Sequence, residues 1–340
     1  MTNSIQSAPQ PPAPRHDQAD EAPKSIAGAL KELANSKALP AILIVLGLLV
    51  IIYPVVSTQW NNWQQNRAAA EYAKLEKNTP QDVRDRAWEE AHRYNAERAR
   101  GPILDPWVNE FVPDNQEYLD YLEVLNDTPV VGRLVVPEVN IDLPIYHGTE
   151  ESTLQKGVGH LFGSDFPVGG EGTHSVLTAH TGLANATLFD NLKDVKEGDS
   201  FFIQVAGHKL KYQVDQIKVV LPHEIDALRS EEGKDFVTLV TCTPYGINTH
   251  RLLVRGHQVP ITESEREALD TVGGLVWQWW MYVLLALFIA GIVGLVWWLR
   301  AQKRAAAQGE DEAHDESHEL DEPDDNAADV ADQFPEEGQK

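Results

Sequence analysis

Cys242 is the only cysteine among 340 residues, and its thiol is the side chain best suited to covalent chemistry. It follows the alternating run 235–241 and precedes Pro244 and Gly246, so we expect it at the end of a β-strand. A lone cysteine is more often a buried small hydrophobic residue. The apolar runs described below favour a position outside the cell, where a free thiol is exposed to oxidation, so its retention at a strand end favours nucleophilic chemistry instead. One cysteine also excludes internal disulfides and CxxC sites.

A nucleophilic thiol needs a base that supplies the thiolate, and the attacked carbonyl needs hydrogen-bond donors. Of 12 histidines, His180 is the best placed, because it ends another β-rich run and has only small neighbours. His250 competes with it, since it adjoins Arg251 at the start of a further run. The Arg251 guanidinium offers two parallel donors to a substrate carbonyl. The residues alone leave the choice between the two histidines open.

These side chains must be positioned by a β-rich region that begins near residue 129. Short runs interrupted by Gly, Pro or Asn predict strands, with a hairpin turn at Ala206 and Gly207. They favour an antiparallel barrel or sandwich of about 135 residues. The preceding segment, from Trp60 to about Tyr121, has a polar, helix-forming composition. The predicted strands are 130–136, 175–178, 200–205, 209–220, 236–241 and 251–255.

Two uncharged apolar runs, residues 38–56 and 272–299, flank this region. The first reaches roughly 28 Å as a helix, which is enough to cross a bilayer, and no small-residue cleavage site follows it. The second has tryptophans at both ends, as membrane-crossing helices do. Basic residues follow it directly, which favours a cytoplasmic C-terminus and a catalytic region outside. These basic residues are Arg300, Lys303 and Arg304.

The charge is distributed unevenly along the chain, whose formal net charge is −24. The proline-rich N-terminus and the acidic tail are expected to be disordered, because neither can bury enough apolar surface. No basic patch is present, so nucleic-acid binding is excluded as a function class. No metal-ligand spacing is present either, and we expect neither a metal nor another cofactor.

The segment Thr238-Leu-Val-Thr-Cys242 resembles the TLxTC signature of sortases, and residues 243–256 resemble the class C, pilus-assembling branch. The similarity extends from the end of the first apolar run to about Gly256. It implies a closed β-barrel in which Cys242 is the nucleophile, His180 its acid/base partner and Arg251 the oxyanion donor. It therefore favours His180 over His250. It also implies that Thr241 lines the substrate groove.

Asp105-Pro106-Trp107 lies between the helical segment and the barrel, where proline fixes a rigid turn. Taken alone, it would be an ordinary turn whose tryptophan anchors the helix. It resembles the lid of class C sortases, which implies Asp105 near Arg251 and Trp107 over Cys242.

The resemblance implies a mainly β protein: a sortase-like closed barrel with an N-terminal helical and lid segment, flanked by two transmembrane helices. Its implied reaction is transpeptidation of an LPxTG-like sorting signal onto a pilin lysine, with pilins or surface proteins and the cell membrane as partners. A housekeeping sortase that attaches surface proteins to the cell-wall precursor and a non-enzymatic membrane scaffold are the alternatives. The expected segments are 1–37 (disordered), 38–57 (transmembrane), 58–126 (helical stalk and lid), 127–262 (barrel), 271–299 (transmembrane) and 300–340 (acidic tail).

Overall fold

The computed structural model describes residues 38–97, 116–269 and 276–319. Its helices are α1 (Ala38–Asn78), α2 (Gln81–Glu97), α3 (Gln116–Glu123), α4 (Glu151–Leu154), α5 (Glu263–Ala268) and α6 (Trp279–Glu319). Its strands are β1 (Gly132–Val136), β2 (Ile141–His147), β3 (Val158–His160), β4 (Thr173–Thr178), β5 (Ser200–Val205), β6 (His208–Val220), β7 (Asp235–Thr243) and β8 (His250–Val259).

The eight strands form a closed barrel in the order β1-β2-β3-β4-β7-β8-β6-β5. Pairing of β1 with β5 closes it, and the β2–β3 and β4–β7 pairs are parallel while the other pairs are antiparallel. This confirms the barrel over the sandwich, but the expectation of a purely antiparallel barrel was wrong, because two of its strand pairs are parallel. Alternate residues point inward and fill the interior, as expected of a small closed barrel. The largest fully buried side chains include Leu134, Ile145, Leu177, Phe201, Ile203, Tyr212 and Leu239.

The two faces of β7 have different surroundings, and these show on which side of the barrel wall the thiol lies. Val237 and Leu239 belong to the main core. Val240 belongs to a separate small cluster with Val176, Leu228 and Leu253, outside the main core. Because side chains alternate along a strand, Cys242 projects on the same face as Val240. The thiol therefore lies on the outer face of the barrel wall, next to this small cluster.

The three N-terminal helices pack on the barrel through a few buried residues. The Tyr72 hydroxyl on α1 donates to the Val131 carbonyl at 3.1 Å, and Ala91 of α2 is fully buried. Tyr121 of α3 is also fully buried, and its ring stacks on Phe166. The described part of the polar helical segment, which was predicted to be a stalk, therefore packs against the barrel.

Helix α1 is continuous from the apolar run into the polar segment, with Pro54 inside it. Helix α6 likewise continues past residue 299 to Glu319, so the first part of the predicted disordered tail is helical. The physical reason is that this part is rich in Ala and Glu, both good helix formers, and extending an existing helix avoids the cost of nucleation.

The chain divides into two compact units, residues 50–290 and residues 1–49 with 291–340. The first contains the barrel, and the second contains a contact between Leu48 of α1 and Gly291 of α6. Both α1 and α6 include a stretch long and apolar enough to cross a membrane, with 6% and 0% of its residues buried. A core helix would be mostly buried, so these exposed apolar stretches could serve as membrane spans.

Candidate active site

Cys242 and Arg251 are directly opposite each other on the antiparallel strands β7 and β8. Opposite residues project on the same face, with Cβ atoms about 5 Å apart. Cys242 is 9% exposed and Arg251 is 7% exposed. The guanidinium donates to the carbonyls of Asn248 and His250, both at 3.3 Å. A nucleophilic thiol and a multi-donor cation therefore share one nearly dry position on the barrel wall.

His180 reaches the same position from β4. Strands β4 and β7 are parallel, with pairs from Thr173 and Asp235 to Thr178 and Val240. The backbone continues the register for one more residue, because the Ala179 N–H donates to the Val240 carbonyl at 3.2 Å. The offset between paired residues is constant at 62, and extending it by two residues beyond the last pair puts His180 level with Cys242. Three adjacent strand ends thus bring together the three residues that the sequence selected.

Two threonine hydroxyls fasten the strand ends that carry His180 and Cys242. Thr241 donates to the Ala179 carbonyl at 2.8 Å, and Thr178 donates to the Val240 carbonyl at 3.1 Å. Thr241 is 2% exposed and precedes Cys242, so its side chain points to the opposite face of β7. These bonds make Thr241 a link between the two strands, and its place in a substrate groove stays a prediction.

The loop that follows His180 is folded back on itself by Asp190. This carboxylate accepts hydrogen bonds from the Thr181 hydroxyl at 2.9 Å and from the Gly182 N–H at 2.7 Å. The Phe189 N–H donates to the His180 carbonyl at 3.1 Å. Burial raises the pKa of Asp190, and the two donors oppose that rise. The loop is therefore closed by hydrogen bonds at both ends, directly beside the histidine.

Glu151 is a candidate site residue that sequence reasoning missed. Its Oε2 lies 3.1 Å from His180 Nε2, and its side chain is 64% exposed. The hydrogen bond from the Gln155 amide lowers the pKa of Glu151, burial opposes this effect, and His180 lowers the pKa further. Glu151 is on the short helix α4, 29 residues before the histidine, and no sequence motif connects the two. Only the folded chain brings them together.

Two residues of the same types as Arg251 and His180, Arg255 and His250, lie on the same strand but in different surroundings. Arg255 is engaged elsewhere, because it binds Asp215 at 3.0 and 3.1 Å and lies over the ring of Phe236 at 4.1 Å. His250 pairs with Thr243, one position beyond Cys242, and adjacent strand residues face opposite sides. Arg251 and His180 therefore remain the predicted site residues. Asp105 and Trp107, the predicted lid residues, lie outside the described residues.

Comparison with known proteins agrees with this geometry. Residues 134–259 match the family model described as Sortase domain. The crystal structure of sortase C-1 from Actinomyces oris is 51% identical, covering 53% of this chain and 99% of that chain, with a TM-score of 0.52. Sortase C of Streptococcus pneumoniae, described in connection with pilin substrate specificity, is 40% identical, covering 58% of this chain and 98% of that chain, with a TM-score of 0.52.

A curated relative, sortase A of Bacillus anthracis, is 27% identical over 135 residues. That match covers 40% of this chain and 62% of the relative, so the chain spans less than two thirds of this relative's length. The solved class C relatives, in contrast, are matched over almost their whole length at 40–51% identity. With its closed barrel and its set of cysteine, histidine and arginine at three strand ends, the chain belongs to the sortase family.

Proposed function

We propose that this protein is a membrane-anchored cysteine transpeptidase that joins pilin subunits. The observation that carries the proposal is the pairing of Cys242 with Arg251, with His180 level with the thiol on the neighbouring strand. A nucleophile, an acid/base group and an oxyanion donor at one wall of a barrel supply what acyl transfer requires.

In the proposed reaction, the Cys242 thiolate attacks the carbonyl between Thr and Gly of an LPxTG-like sorting signal. Arg251 donates hydrogen bonds to the negatively charged oxygen that develops there. His180 protonates the glycine amine as it leaves, and a thioester remains on Cys242. The amine of a pilin lysine then attacks the thioester, which releases the thiol and forms an isopeptide bond.

The choice of acceptor separates this proposal from a housekeeping sortase. The test supplies the purified full chain with a fluorescent sorting-signal peptide and offers it two amines. One is a pilin domain with an exposed lysine, and the other is a peptide that imitates the cell-wall precursor. Faster transfer to the pilin lysine supports pilus assembly. Faster transfer to the wall-type amine would instead assign the protein to cell-wall anchoring, and an absence of cleavage would contradict both.

The proposed topology has two membrane spans, an extracellular barrel and both termini in the cytoplasm. It is supported by the exposed apolar stretches of α1 and α6 and by the basic residues Arg300, Lys303 and Arg304 behind the second stretch. The test places a single cysteine at Gln302 in a Cys242→Ala chain and treats intact cells with a membrane-impermeant maleimide. Labelling at that position without lysis would contradict the topology.

The proposed lid, Asp105-Pro106-Trp107, restrains access to the thiol without taking part in the chemistry. Its support is the sequence resemblance. A double Asp105→Ala, Trp107→Ala variant is expected to react faster than the native chain with a thiol reagent at Cys242. An unchanged labelling rate would remove the lid from the proposal.

A further inference from the structure

The loop between β7 and β8 carries two large side chains that the fold leaves exposed. Tyr245 is 55% exposed and Ile247 is 68% exposed, and they lie three and five residues after the candidate nucleophile in sequence. We call this pair the apolar tip. Neither residue belongs to a core cluster among the described residues. Exposed large apolar side chains near a functional site often mark a contact surface, so the surroundings of this tip decide what it contacts.

The apolar tip adjoins the loop that follows His180, residues 181–191. A Cβ at Gly182 would lie 3.3 Å from the Gly246 nitrogen and 3.9 Å from the Tyr245 ring. The charge of Asp190 also contributes to a raised pKa of Tyr245, after burial as the larger cause. Tyr245 therefore lies beside the 181–191 loop, at the end of the barrel that holds Cys242.

The same loop is fastened to α1 just beyond its apolar stretch. The Asn62 amide donates to the Thr187 hydroxyl at 2.8 Å and accepts from the Thr187 N–H at 3.0 Å, and both residues are buried. The Thr58 hydroxyl donates to the Ala184 carbonyl at 3.3 Å. The two buried hydrogen bonds between Asn62 and Thr187 fix the loop to the helix.

The residues just before α6 are bonded to the same part of α1 and to the same loop. The Gln59 amide donates to the Val276 carbonyl at 2.9 Å, and the Gln278 amide donates to Asn191 at 2.6 Å. The surrounding aromatic side chains are exposed and of the types that occupy membrane interfaces. They are Trp60 (58%), Trp277 (41%), Trp279 (76%) and Tyr282 (58%).

The helix rise sets the height of this contact above the apolar core of a membrane. Thr58 and Asn62 follow Val56, the last residue of the apolar run, by about 3 and 9 Å along the helix axis. The polar interface on each side of a bilayer is roughly 5–7 Å thick. The 181–191 loop, fixed to Thr58 and Asn62, therefore lies at or just above the lipid headgroups once α1 spans the membrane.

We propose that the active-site end of the barrel rests on the outer surface of the bilayer, with Tyr245 and Ile247 inserted among the lipid headgroups. This inference rests on the membrane anchoring proposed above. It places Cys242 where a peptide that emerges from the membrane first becomes accessible. The tip is thus proposed to contact lipid. Contact of the tip with a protein partner is the competing outcome of the test.

The direct test measures the depth of the tip in vesicles that contain the full chain. An environment-sensitive fluorophore is attached at Ile247→Cys in a Cys242→Ala chain, and lipids with a nitroxide headgroup serve as quenchers. The matched control carries the fluorophore at Glu232→Cys, an exposed position just before the opposite end of β7. Strong quenching at 247 and little at 232 is the expected result. Equal quenching at the two positions would overturn the proposal.

Vesicle flotation separates this inference from the anchoring on which it depends. A chain that does not float with the vesicles contradicts the anchoring and the docking together. A chain that floats while position 247 stays unquenched contradicts only the docking.

A second measurement needs no label and keeps Cys242. A Tyr245→Ser, Ile247→Ser double variant is compared with the native chain on a sorting signal joined to a membrane-embedded helix and on the same signal as a soluble peptide. A severalfold loss with the embedded substrate alone is expected. An equal loss with both substrates would overturn lipid docking and assign the tip to contact with the peptide itself.

Discussion

Cys242 and Arg251 are register partners across the β7–β8 pair, and each has less than a tenth of its surface exposed. Few water molecules can therefore compete for the guanidinium protons, so its hydrogen bonds to a developing oxyanion are stronger than they would be in water. Arg255 is four residues further along the same strand and on the same face, but its guanidinium is bound to Asp215 and Glu231. The two arginines form a natural pair for comparison.

Replacement of Arg251 by Gln is expected to lower kcat/KM by about 10²–10³, the usual cost of losing an oxyanion donor. The control, Arg255→Gln, removes the partly buried ion pair with Asp215 and the contact with the Phe236 ring, and is expected to act mainly on thermal stability. Steady-state kinetics with one sorting-signal peptide measures both variants. A larger kinetic loss in the Arg255 variant would reverse the assignment.

Asn62 is expected to position His180 from a distance, through Thr187 and the loop closed by Asp190. Removing its buried amide in Asn62→Ala leaves the Thr187 N–H without a partner, at a local cost of about 1–3 kcal/mol. We expect kcat to fall while KM for the peptide changes little, because the groove is intact and the histidine is displaced. Gln64→Ala, an exposed amide on the same helix, serves as the control. Native kcat in Asn62→Ala would show that the loop holds His180 without this bond.

Asp235 gives the barrel a pH-dependent stability. Burial raises the pKa of its carboxyl to about 6, against hydrogen bonds from Gly170 and Tyr212 that oppose the rise. Because the folded pKa exceeds the unfolded value near 3.8, the folded state binds more protons between these values, and stability falls as pH rises from about 4 to about 6. The difference amounts to at most about 2–3 kcal/mol for a shift of this size.

An Asp235→Asn variant keeps the shape but cannot ionise. Its amide oxygen can accept from the Gly170 N–H, and its amide N–H can donate to the Tyr212 hydroxyl oxygen. The Tm of the variant minus the Tm of the native chain is therefore expected to increase as the pH is raised from 4 to 7. Thermal unfolding followed by tryptophan fluorescence measures this difference. A constant difference in Tm across the range would contradict a raised pKa at Asp235.

The strand pattern of the barrel was largely predictable from sequence, because six of its strands are alternating runs ended by Gly, Pro or Asn. Ser200–Val205 coincides with its predicted bounds, and the turn residues Ala206 and Gly207 both have positive φ, as a two-residue hairpin requires. Strands β2 and β3 were missed. Pro144 lies inside β2, where pairing with β3 begins only at Ile145, and β3 has three residues, too few for a visible period.

The candidate site residues could be selected from the sequence by type, but their contacts could not. Cys242 and His180 each follow the end of a recognisable run and Arg251 begins one, so a motif could identify them. Glu151 and Asn62 are an exposed acid and a helical amide, which have no distinguishing sequence context. They gain significance only because tertiary folding brings α4 and α1 to the loop around His180.

The central claim is that Cys242 carries the acyl group, and the intact mass of the enzyme during reaction with a sorting-signal peptide tests it most directly. The native chain is expected to gain the mass of the peptide up to its threonine, and to lose it on treatment with hydroxylamine, as a thioester does. The Cys242→Ala chain is expected to gain no mass and form no product. Product formation by the Cys242→Ala chain, or an adduct on any other residue, would contradict the account.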